Sequence, residues 1–168
     1  MSMLAPYHYI PTPLHFGRTP QFSYYCMSLE GPSLYDFSLT IDTGFDYRCI
    51  NLILYHSLKA LQSIHEMGIS HSDINLKNIC LSVSPTKARL LLVDFGSSIA
   101  CDEFSRRRDI SAVIMCLTLV SNHHDVVSQC RWHHNQDEPS SIEDLLALIT
   151  EQPNFDFSDP FQWEADRL

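Results

Sequence analysis

Residues 46–67 read DYRCINLILYHSLKALQSIHEM, and Ile50, Ile53, Leu54, Leu58, Leu61 and Ile64 recur at steps of three and four. That period places all six on one face of a single long helix, and such a face has to be buried against other elements. Gly68 follows directly and is the expected C-cap, since glycine accepts the left-handed conformation that ends helices. A second apolar stretch, residues 107–120, carries Ile110, Val113, Ile114, Leu117 and Val120 at helical spacing and predicts a buried helix. Two such helices in a chain of 168 residues make the expected fold mainly α, in one domain or part of a larger one.

The remaining elements are shorter. Residues 1–20 are punctuated by proline and predict an extended N-terminal segment; residues 21–168 form the folded unit. Within it, residues 21–29 (QFSYYCMSL) predict a strand, and Gly31-Pro32 breaks it. Ser33 is placed to cap a short helix beginning near Leu34. Residues 79–83 and 89–93 predict a small β-hairpin across the turn-like SPTK. Residues 121–139 are polar and without period, and Ser140 with Glu143 has capping-box spacing for a last helix to about residue 150.

Charge narrows the partners. Eleven basic residues against 20 acidic ones give a net charge of -9, which excludes a general binder of nucleic acid or anionic membrane. The six cysteines are scattered, with no CxxC pair, as in an intracellular protein with reduced thiols. The first residues lack the apolar core of a signal peptide, and no run has the length of a bilayer span, so the expected location is cytoplasmic or nuclear.

The chemistry concentrates in HSDINLKN, residues 71–78, and in RLLLVDFGSS, residues 89–98. Asp73 and Asn78, five residues apart, precede the Asp94-Phe95-Gly96 triplet. Together with MSLEGPSLYDF (residues 27–37), SIHEMGISHSDINLKNICL (residues 63–81) and FSRRRDISAVIMCL (residues 104–117), this order resembles the C-terminal lobe of a protein kinase. The likeness is to the casein kinase I group, which includes the tau-tubulin kinases, and it covers roughly residues 12 to 165 with gaps. It implies a helical lobe with a small β-hairpin.

The resemblance also implies roles. Asp73 stands at the position of the base that accepts the substrate hydroxyl proton, and Asn78 and Asp94 at those of the magnesium ligands. ATP and Mg2+ are the implied cofactors. Met27 takes the gatekeeper position, Leu29 and Glu30 offer hinge backbone groups, and Cys80 lies on the pocket floor. Asp109 is the implied helix-start acid that pins the catalytic-loop backbone, a position that also suits an acid through the helix dipole.

Departures from the family bear on activity. No glycine-rich phosphate loop and no V-A-I-K-like lysine strand are found, and only about 25 residues precede the hinge, so the N-terminal lobe is largely missing. Ser72 replaces the family's HRD arginine, which removes a guanidinium able to bind an acidic segment. Asn75 replaces the lysine two residues after the base, which removes a cation aimed at the transferring phosphoryl group. Eight residues, SSIACDEF, separate Gly96 from Ser105, too few for a peptide platform with its APE-like anchor.

Several features keep two readings. Asp73, Asn78 and Asp94 either hold a metal and nucleotide or serve only to satisfy their own loop. His123, His124, Cys130, His133 and His134 form either a solvated loop or a zinc site of unusual spacing. Arg106, Arg107 and Arg108 are either a solvated helix start or an anion site. Phe155, Phe157, Phe161 and Trp163 either pack on the lobe or form a partner site. The expected function is an impaired pseudokinase that binds a protein partner, such as a kinase or a kinase substrate. The alternatives are a Ser/Thr protein kinase whose N-lobe is not in this sequence and a noncatalytic nucleotide sensor.

Overall fold

The computed structural model describes residues 8–41, 44–84, 89–121, 141–152, 155–156, 158 and 161. Its first element is a hairpin of β1 (Pro13–Arg18) and β2 (Ser23–Met27). The strands pair antiparallel from Arg18↔Ser23 to Pro13↔Met27, with a bulge between Pro13 and His15. The extended segment expected before residue 21 is therefore partly a strand, and it lies against the strand expected after it.

Helix α1 (Leu34–Ser38) starts where Ser33 can cap it. Ser33 Oγ accepts the Asp36 amide, and the Asp36 carboxylate accepts the Ser33 amide at 2.8 Å. Helix α2 (Tyr47–Glu66) is capped by Asp46, whose carboxylate accepts the Cys49 amide at 2.8 Å. All six periodic residues of α2 are buried, and so are Leu52 and Ala60, so its covered surface is wider than one stripe. This helix is the axis of the core, packed against α3 (Glu103–Val120) and α4 (Ile142–Thr150). Gly68, just past its end, has φ 76, and a Cβ there would meet nothing within 4 Å. Gly68→Ala therefore meets only the left-handed backbone penalty, an expected loss of about 1–2 kcal/mol that urea unfolding would measure.

Two short antiparallel pairs complete the description. Strand β3 (Ile69–Ser70) pairs with β6 (Ile99–Ala100), and β4 (Ile79–Leu81) pairs with β5 (Leu90–Leu92) in the register Ile79↔Leu92. The predicted hairpin is thus present, its strands slightly shorter than expected.

Two helix starts differ from expectation. Helix α3 begins four residues early because Asp102 caps it: its carboxylate accepts the Ser105 amide at 2.7 Å, and Ser105 Oγ accepts the Asp102 amide at 2.9 Å. The box on α4 is Ser141 with Asp144, one residue later than the predicted Ser140 with Glu143. Glu143 instead accepts from Gln62 Nε2 at 2.8 Å, which ties α4 to α2.

Of the tail aromatics, Phe161 is fully buried and Phe155 packs against Tyr55, ring centres 5.5 Å apart. Phe157 and Trp163 lie outside the described residues, as do His123, His124, Cys130, His133 and His134. Among the described residues no helix is long and apolar enough to cross a membrane.

Candidate functional site

The octet 71–78 links β3 to β4 and lies against α3. Its shape is set by one side chain. Asp109 Oδ2 accepts the His71 amide at 2.8 Å and Ser70 Oγ at 2.8 Å, and lies 3.0 Å from His65 Nε2; Oδ1 accepts the Ser72 amide at 2.8 Å. Asp109 is 1% exposed and His65 3%. Burial raises the pKa of the Asp109 carboxyl, but the bonds from His65, Ser70, Ser72 and His71 outweigh it and hold the group below its ordinary value. Because α3 begins at Glu103, Asp109 stands well beyond its first turn and is not a helix-start acid. The dipole falls off within that turn, so hydrogen bonding accounts for the carboxylate here.

The backbone these bonds hold is unusual. Ser72 has φ 64, a region L-residues seldom enter. Its carbonyl faces Arg108 Nη2 at 3.4 Å, so one of the three consecutive arginines reaches the loop from α3. His71 is fully buried, with Nε2 2.9 Å from the Val93 carbonyl and its ring 4.7 Å from that of Phe95. A carbonyl only accepts, so Nε2 carries the proton in this contact.

Asp73 is exposed, and two amides turn toward it. Asn78 Nδ2 donates to the Asp73 carbonyl at 2.9 Å and to its carboxylate at 3.2 Å. Asn75 Nδ2 donates to the same carbonyl at 3.2 Å, while Asn75 Oδ1 accepts the Lys77 amide at 3.0 Å. Lys77 itself is directed to α1, its Nζ 4.9 Å from the centre of the Tyr35 ring. The Val93 amide donates to the Asn78 carbonyl at 3.0 Å, which brings Asp94 to the same end of the β4–β5 hairpin. Asp94 is exposed, with φ 63, and accepts the Gly96 amide at 3.3 Å.

The chemistry of these donors suits a hard cation. With the Asn78 amino group turned to Asp73, its Oδ1 and the Asp94 carboxylate are oxygens of the kind magnesium takes, with water and phosphate oxygens as further ligands. Among the described residues no group of three or more His, Cys, Asp or Glu side chains gathers to hold a metal.

The four positions assigned to nucleotide divide into two groups. Met27 lines an apolar cleft of about 850 Å³ together with Ile64, Met67, Val93, Asp94 and Phe95. Leu29 is 89% exposed. Glu30 accepts from Ser28 Oγ at 2.5 Å and faces the Val83 amide at 3.4 Å. Cys80, bridged to Ser33, is half-buried; burial first, then the charges of Asp36 and Glu30, push its thiol pKa up. Met27 and Asp94 thus share a cleft whose lining includes none of Leu29, Glu30 or Cys80.

His65 and Ser70 were not anticipated as site residues. The sequence signal was present, since a histidine and a serine flank the end of an apolar helix, but nothing local says that a residue 44 positions beyond the first and 39 beyond the second would meet them.

No protein-family model matches the chain. Similarity to curated proteins is partial. The chain is 35% identical over 98 residues to "Putative casein kinase I C03C10.2" of Caenorhabditis elegans, a match covering 57% of this chain and 28% of that protein. It is 24% identical over 116 residues to "Putative serine/threonine-protein kinase ZK507.3" of the same organism, covering 60% and 31%. The chain thus spans less than a third of the length of these relatives. This partial similarity supports a kinase-like relationship and a kinase-like fold for the chain.

Proposed function

We propose that the chain is a kinase-like module of the casein kinase I type, corresponding to the C-terminal lobe, that has lost most or all phosphoryl transfer and acts by binding a protein partner. The observation that carries this reading is the passage from Asp94-Phe95-Gly96 into α3. Strand β6 pairs at once with β3, the Cys101 amide donates to the Gly68 carbonyl at 2.9 Å, and Asp102 already caps α3. The backbone of this stretch is thus tied to the lobe at β6, Cys101 and Asp102, which leaves little length of chain for a peptide platform. Asn75 supports the same reading. Its amide closes the loop on Asp73, where a lysine would offer charge to a phosphoryl group in the transition state.

A second reading, an ATP-dependent Ser/Thr protein kinase, is favoured by the gathering of Asp73, Asn78 and Asp94 at one end of a hairpin. A phosphate-transfer assay separates the two. With Mg-ATP the chain is expected to label neither casein nor itself above background. Labelling that disappears in Asp94→Asn, a variant compatible with the left-handed backbone at 94, would overturn the proposal. Thermal melts report on a nucleotide-sensing role, since ATP at a hundred times its Kd would stabilise by about 2.7 kcal/mol; little or no shift is expected.

A further inference from the structure

We draw no further inference here: the strongest candidate, the apolar cleft that Tyr25, Met27, Met67 and Ile69 line beside Asp94, belongs to the site already described, and nothing in the structure shows what covers it.

Discussion

Asp109→Ala is expected to cost about 3–5 kcal/mol of folding stability, the range for removing a buried carboxylate that several buried donors share. The loss is large because the carboxylate serves four donors. Without it the His65 imidazole, the Ser70 hydroxyl and the amides of His71 and Ser72 all lack their acceptor, and each buried orphan costs about 1–3 kcal/mol before the structure relaxes. Asp109→Asn separates charge from size, since one of its two atoms can only donate. A pH series gives the sign independently. The folded carboxyl lies below its ordinary pKa, so its contribution is fully present above the unfolded value of about 3.9 and is lost as pH falls through the folded value. Urea midpoints should therefore drop below about pH 4 more steeply in the wild type than in Asp109→Asn. Parallel slopes in the two proteins would contradict this account.

Phe161→Ala is expected to cost about 3–5 kcal/mol. The ring is fully buried, with the Arg89 guanidinium 4.0 Å from its centre and the His56 ring 6.0 Å away. Removing it opens a cavity between α2 and the start of β5, and strips the cation of its π face. Guanidinium unfolding would read the loss, and Phe161→Leu should recover much of it by keeping most of the volume. The same geometry changes how a tail variant is interpreted. Weaker partner binding by Phe161→Ala would report loosening of the lobe rather than loss of a contact residue.

The sequence read well where a period or a cap is local. The apolar steps of α2 survive as its buried face because nothing else could bury six large side chains at that spacing. Ser33 caps α1 within one turn, so its role is legible, although the answering Asp36 carboxylate is a finding of the structure. Misreadings arose where local signals overlap. Ser140-Ser141-Ile142-Glu143-Asp144 contains two serine–acid pairs at capping distance, and periodicity cannot choose between registers one residue apart. The start of helix α3 is not legible from its apolar period, because Asp102 and Ser105 form their box with the types exchanged from the usual order. Sequence reasoning also ascribed Asp109 to a helix end, whereas its four donors come from segments 37 to 44 positions away. Motif order placed Asp73, Asn78 and Asp94 together, but not the inward turn of Asn75, which depends on hydrogen bonds available only once the loop is closed.

The left-handed turn at Ser72 has a consequence for any fragment of this protein. A non-glycine residue there costs about 1–2 kcal/mol, and the amides of His71 and Ser72 that lead into the turn are held by a carboxylate from α3. A peptide of residues 65–82 would carry every letter of the octet and none of its shape. An antibody raised against such a peptide should recognise the denatured chain and miss the native one, because the native epitope is written in two stretches of sequence.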